Sequence, residues 1–198
     1  MSFETFAYHS CRDTGDADRI EKDAPYHSAK PQGQNSLSQT FLSPGYYFWE
    51  EEEDDAHWWG EVHYQPNYVV LECHVKIDRS RLLDLAGNPA DKRKLRELAT
   101  VAISRSIKGY TNPKDIPVGA LLDFIRGWNA TGFPFDAART VDLTHSQGGG
   151  KPTTRPHSSK FPLNRYHDDP QYILCIFKNV GTLVTSKKIV YPTVYTEE

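Results

Sequence analysis

The chain predicts an α+β domain with a compact mixed or antiparallel split β-sheet core, and three observations carry that expectation. Strand-like runs of apolar and aromatic residues stand towards both ends. Two helical patterns stand side by side in the middle. No regular strand–helix alternation, which would signal a doubly wound sheet, links them. With 198 residues, 38% hydrophobic and 25% charged, the chain is sized for one domain spanning residues 1–198 and for a self-sufficient core.

Residues 3–11 (FETFAYHSC) alternate as a strand, and residues 12–40 are polar, with at most a short helix over 16–23. Pro44-Gly45 marks a tight turn, from which Tyr46-Tyr47-Phe48-Trp49 leaves as a strand of β-favouring aromatics. Strand side chains alternate faces, so four adjacent aromatics cannot share one core. The strand is then either buried on both faces or offers a tyrosine as a stacking wall for a flat ligand. Six acids follow, residues 50–55, read as a solvated loop or helix start because carboxylates favour a helix N-terminus; a helix over 54–60 completes the stretch. Residues 68–78 (YVVLECHVKID) are the clearest strand, with Val69, Leu71, Cys73, Val75 and Ile77 on one face. Helices are expected over 90–107, with Leu95, Leu98, Ala99, Ala102 and Ile103 on an apolar stripe, and over 118–129, with Leu121, Leu122, Ile125 and Trp128. Residues 144–167 have no periodicity, and strands are expected again over 171–177 and 188–195. His63 and His74 read as ordinary strand residues.

Composition narrows the function classes. A net charge of -3 argues against a globally basic nucleic-acid binder but leaves local patches open. Cys11, Cys73 and Cys175 are too far apart for a zinc motif and odd in number, so reduced thiols and a cytoplasmic setting are expected. No apolar run of membrane-spanning length and no signal peptide is evident. No metal site is expected. The acid run lacks the alternating ligands of a calcium loop, and the eight histidines are scattered. Gly148-Gly149-Gly150-Lys151 lacks the spacing of a phosphate-cradling loop.

Three short pieces combine into a chemical hypothesis: Tyr8-His9-Ser10-Cys11 on the first strand, Gly45-Tyr46-Tyr47-Phe48 followed by Ala56-His57-Trp58-Trp59, and Gln171-Tyr172-Ile173-Leu174 opening a late strand. Taken alone, each is weak: a strand histidine is usually structural and a tyrosine pair usually core. In this order they resemble the ADP-ribosyltransferase superfamily, in the branch of the poly(ADP-ribose) polymerases and diphtheria toxin, as a His-Tyr-Gln variant. The resemblance implies that NAD is a co-substrate and that its nicotinamide–ribose bond is cleaved through an oxocarbenium-like transition state, as in glycoside cleavage. It implies His9, Tyr47 and Gln171 as catalytic residues and Tyr8, His9, Ser10, Tyr46 and Tyr47 as the NAD-binding set. His9 would bond the adenosine ribose, Tyr47 would stack on nicotinamide with Tyr46 closing the pocket, and the Ser10 backbone would meet the carboxamide. Gln171 would hold the 2'-hydroxyl beside the scissile bond.

Two positions depart from the family pattern. Ser10 stands where a glycine allows close backbone approach. Gln171 stands where the family has a glutamate or, in many relatives, another residue; an amide cannot ionise, so, by analogy with the relatives lacking the glutamate, single transfer and not chain elongation is implied. Asp168, Asp169 and His167 are the nearby candidates for the missing charge.

The loop before the third motif contacts the target in the family. Here that loop holds Lys151, Arg155, Lys160 and Arg165, with Phe161 and Tyr166 available for stacking and no acid in residues 144–167. It suits a phosphate-bearing acceptor, RNA or DNA ahead of an acidic protein surface. A bacterial toxin or defence effector, with an antitoxin or inhibitor protein as partner, is the role this analogy points to. The alternatives are a catalytically weak module binding NAD or ADP-ribose, and an interaction domain that uses residues 50–55 as a contact face.

Overall fold

The structure, a computed structural model, describes residues 1–29, 41–129, 132–142 and 171–196. The strands are β1 (Ser2–Arg12), β2 (Tyr46–Glu50), β3 (Tyr68–Asp78), β4 (Leu82–Asp84), β5 (Ala137–Asp142), β6 (Gln171–Ile176) and β7 (Val184–Tyr191); the helices are α1 (Ala17–Asp23), α2 (Glu53–His63), α3 (Pro89–Ser104), α4 (Val118–Trp128) and α5 (Val180–Leu183). The α+β class holds, with one seven-stranded mixed sheet in the order β4-β5-β6-β2-β1-β3-β7. Among the described residues only β4 and β5 pair in parallel.

Local chemistry explains the helix ends. The Asp16 carboxylate accepts the Arg19 N–H at 3.0 Å to open α1, and Asn88 accepts the Ala90 N–H at 3.0 Å ahead of Pro89 to open α3. Helix α3 stops at Ser104, short of the expected 107: Ser106 turns left-handed at φ 59° and the Ile107 N–H returns to the Ala102 carbonyl at 3.0 Å. Helix α2 starts with Glu53, Asp54 and Asp55 in its first turn and runs three residues past the expected end. His63 is therefore helical, not in a strand, and its ring stacks on Trp59 one turn earlier with centroids 3.8 Å apart. His74 does lie in a strand.

The sheet is buried on both faces. One face carries Trp49, Val70, Ala138, Ile173 and Cys175 beneath Ala56 of α2, Leu95 and Ala99 of α3, and Leu121 and Ile125 of α4. The other carries Ala7, Phe48, Leu174 and the predicted β3 stripe of Val69, Leu71, Cys73, Val75 and Ile77, covered by Ile20 of α1 and by Val180 and Leu183 of α5. The aromatic strand is thus divided, with Tyr46 and Phe48 on the α1 face and Tyr47 and Trp49 on the α2 face. Strand β5 was not expected, because AARTVD offers only two β-branched residues, Thr140 and Val141; its place between β4 and β6 depends on pairing distant in sequence.

Helix α2 lies so close to β3 that a Cβ at Gly60 would meet the Tyr68 ring at 2.2 Å. Gly60→Val is expected to destabilise the fold by about 1–3 kcal/mol through overpacking. Urea denaturation measures this, and an unchanged midpoint would refute the close-approach account.

Candidate functional site

The motif-bearing strands, scattered along the chain, become neighbours: β6, β2 and β1 lie side by side in the sheet. Strand β2 pairs with β6 from Tyr46↔Ile176 to Trp49↔Ile173. Its pairing with β1 is short. Ala7↔Glu50 and Tyr8↔Trp49 are in register, whereas β1 stays paired with β3 over its whole length. The sheet therefore splays between β1 and β2 just beyond Tyr8, where His9 stands.

The His9 ring bridges this gap. Its Nε2 accepts the Tyr26 backbone N–H at 3.1 Å and so carries no proton, which leaves Nδ1–H to donate to the Tyr47 carbonyl at 2.9 Å. The residue is 6% exposed, and burial lowers the imidazole pKa from 6.5 to about 4. Its ring packs against Phe48, with centroids 5.7 Å apart, on the α1 face.

The sheet thus divides the residues implied by the resemblance. His9 lies on the α1 face with Tyr46, whose ring meets His27 edge-on at 5.1 Å. Tyr8, Ser10, Tyr47 and Gln171 lie on the α2 face, where the Ser10 hydroxyl donates to the Ala56 carbonyl. In this conformation both His9 nitrogens are engaged by backbone, and the imidazole and the Gln171 amide open onto opposite faces. The Tyr47 hydroxyl donates to the Ser43 carbonyl at 2.6 Å and accepts the Leu42 N–H at 3.0 Å. It thereby holds the turn whose Gly45 sits against β6, where a Cβ would meet the Ile176 carbonyl oxygen at 2.7 Å. Lys151, Arg155, Lys160, Arg165, Phe161, Tyr166, His167, Asp168 and Asp169 lie outside the described residues.

Gln171 is the chemically informative position. Its Nε2 donates to the Asp55 carboxylate in the first turn of α2, while its Oε1 is the one buried side-chain nitrogen or oxygen without a hydrogen-bond partner among the described residues. An orphaned buried acceptor costs about 1–3 kcal/mol, so a hydroxyl donor arriving there would recover that cost. Asp55 shares the first turn of α2 with Glu53 and Asp54, and Glu51 and Glu52 before it are exposed. Burial, followed by the Glu72 carboxylate, raises the Tyr8 phenol pKa, and its hydroxyl donates to Glu72 at 3.3 Å.

Asp55 could not be found in the sequence, since 116 residues separate it from Gln171 and it resembled its solvated neighbours. The acid run is in fact not a uniform solvated face. Glu50 belongs to β2, is 5% exposed, and accepts from Arg139 Nε at 2.5 Å. Extending the strand alternation by one residue would have placed it inward with Phe48. The three cysteines are all buried, and burial raises their pKa values, to about 12 for Cys11 and Cys73, so inert thiols are what the fold contains.

A hollow of about 390 Å3, lined by Arg126, Phe133, Phe135, Phe177 and Lys178 among others, opens at the far end of β6. Gln171 is six residues away along the strand, about 20 Å at the usual rise, so the hollow is not the surroundings of the Gln171 amide. Among the described residues no group of histidine, cysteine, aspartate and glutamate side chains could hold a metal ion, and no helix is long and apolar enough to cross a membrane. Compared with protein-family models, with curated proteins and with solved structures, the chain gives no match.

Proposed function

We propose that this domain is an NAD-dependent mono-ADP-ribosyltransferase with an ADP-ribosyltransferase-like split sheet, in which Gln171 on the α2 face holds the nicotinamide ribose. One observation carries the reading. The Gln171 amide is oriented by Asp55 so that its buried Oε1 is, among the described residues, an acceptor without a donor, as a ribose hydroxyl requires. The adjacency of β6, β2 and β1 and the splay beside His9 support it further. In the reaction the C–N bond between ribose and nicotinamide breaks, its electron pair leaving on the nicotinamide nitrogen. The ribose carries the positive charge until an acceptor lone pair closes the new bond and the acceptor's proton passes to water.

His9 has a different part in this proposal from the one the resemblance implies. With both nitrogens spent on backbone, it is a positioning residue: it keeps β2 and the Tyr26 segment at a set distance across the splay. The α2 tryptophans Trp58 and Trp59 are the stacking surface on the face of Gln171, whereas Tyr47, paired with Cys175 four residues along β6, holds the Ser43 turn.

The test is nicotinamide release from labelled NAD with random-sequence single-stranded RNA, the DNA counterpart, or the chain itself as acceptor. Release and label transfer are expected with the wild-type chain. Gln171→Ala is expected to lower turnover about a hundredfold, the scale of losing one transition-state contact. Saturable NAD binding without release would support instead a module that only binds the dinucleotide.

A further inference from the structure

An uncharged amide offers nothing that fully compensates a cation, yet the transition state of the proposed reaction carries one beside Gln171. We infer that Asp55 supplies the missing negative charge and delivers it through the Gln171 amide. This rests on the transferase reading above. Within the acid run Asp55 is distinguished by its contact: it alone among these carboxylates is shown accepting the Gln171 Nε2–H. The orphaned Oε1 at the other end of the same amide is a separate observation, and it gives the arrangement a direction. A carboxylate bonded to the amide N–H pushes electron density through the conjugated N–C–O system onto Oε1, because hydrogen bonds in a chain polarise one another. Carboxylate, amide and ligand hydroxyl then form one line, with the charge one residue removed from the ribose. No proton needs to cross the amide. Asp55 stays ionised, Gln171 stays neutral, and the ribose hydroxyl keeps its hydrogen while donating to Oε1.

The fold supports such a relay. Asp55 stands one residue before Ala56, which is fully buried against the sheet and accepts the Ser10 hydroxyl on its carbonyl, so the first turn of α2 is held to β1. Gln171 is the first residue of β6 and is paired with Asp142 of β5. Both partners of the amide–carboxylate bond therefore sit on regular elements.

Asp55→Asn removes the charge but keeps a carbonyl oxygen to accept from Gln171, so it separates charge from anchoring. Using the full chain and the nicotinamide-release assay, Asp55→Asn is expected to lower kcat about 10–100-fold while KM for NAD changes less than about threefold. The double variant Asp55→Asn with Gln171→Glu moves the charge to the other end of the pair and is expected to return kcat to within about tenfold of wild type. Thermal unfolding of each variant accompanies the kinetics. Equal turnover by wild type and Asp55→Asn overturns this inference and leaves the transferase reading standing. A loss in Asp55→Asn that the double variant does not recover overturns it too, because Asp55 then acts only as a fastener. Absence of nicotinamide release from the wild-type chain with every acceptor overturns the transferase reading and this inference with it.

Discussion

Replacing Arg139 with methionine is expected to lower the free energy of unfolding by about 3–5 kcal/mol, the cost of leaving buried carboxylates without their cation. Arg139 projects from β5 on the α1 face between two acids. Its Nε donates to Glu50 at 2.5 Å and its Nη1 to Asp84 at 3.3 Å, and both carboxylate residues are 5% exposed. The guanidinium also lies over the Tyr172 ring, 4.5 Å from its centre. Asp84 has other support, from the Ala86 and Gly87 N–H groups at 3.1 and 2.7 Å, whereas Arg139 is the cation bonded to Glu50. Burial raises the Glu50 pKa and outweighs the lowering by Arg139. Without Arg139 that pKa rises further, so Glu50 is protonated on folding over a wider range. An acid whose folded pKa is raised favours folding at low pH, and the variant's deficit is therefore expected to shrink from pH 7 to pH 5. Denaturant titrations at the two pH values measure both effects, and a variant within about 0.5 kcal/mol of wild type would show that the cluster is solvated.

The second large effect is an acid-side loss of stability through His9. The folded imidazole is held neutral, its pKa lowered to about 4, while the unfolded chain takes a proton near 6.5. Above pH 6.5 neither state is protonated and the contribution is complete. As pH falls through 6.5 towards 4 the unfolded state gains a proton that the folded state does not, and stability drops by up to 1.36 kcal/mol per pH unit, about 3 kcal/mol in all. His9→Asn has no titrating group and can still donate to the Tyr47 carbonyl. It is expected to be less stable than wild type at pH 7 by about 1–3 kcal/mol, having lost the acceptor for the Tyr26 N–H. Its stability should fall less steeply below pH 6.5. Parallel stability–pH curves for the two proteins would mean that His9 is not the group responsible, and would reopen it as a ligand contact.

His9 also shows how far the sequence could be followed into the site. The strand carrying it was legible from alternation, and so was the turn before Tyr46, because those signals are local. What the imidazole bonds was not legible. Its partners, the Tyr47 carbonyl and the Tyr26 N–H, lie 38 and 17 residues away, and they are backbone groups, which any residue carries. Strand parity alone would have separated Tyr46 from Tyr47, but it could not say which of them shares a face with His9, since that depends on how β1 and β2 are registered. The helical end of α2 was missed for a related reason: Glu61-Val62-His63-Tyr64 alternates polar and apolar residues as a strand would, and the stacking of His63 on Trp59 exists only once the helix continues.

By itself the sequence determined the α+β class, the β3 stripe, the apolar face of α3, that of α4 except for Trp128, which is exposed, the buried state of Cys73 and Cys175, and the order of the three motifs. All of these follow from periodicity and side-chain type, properties a short window contains. Tertiary structure alone decided that β6, β2 and β1 are neighbours, that the sheet opens beside His9, that Glu50 turns inward to Arg139, and that Asp55 meets Gln171. Each of those depends on pairing between residues far apart in the chain, and no local pattern encodes which distant partner a strand edge or a carboxylate will find.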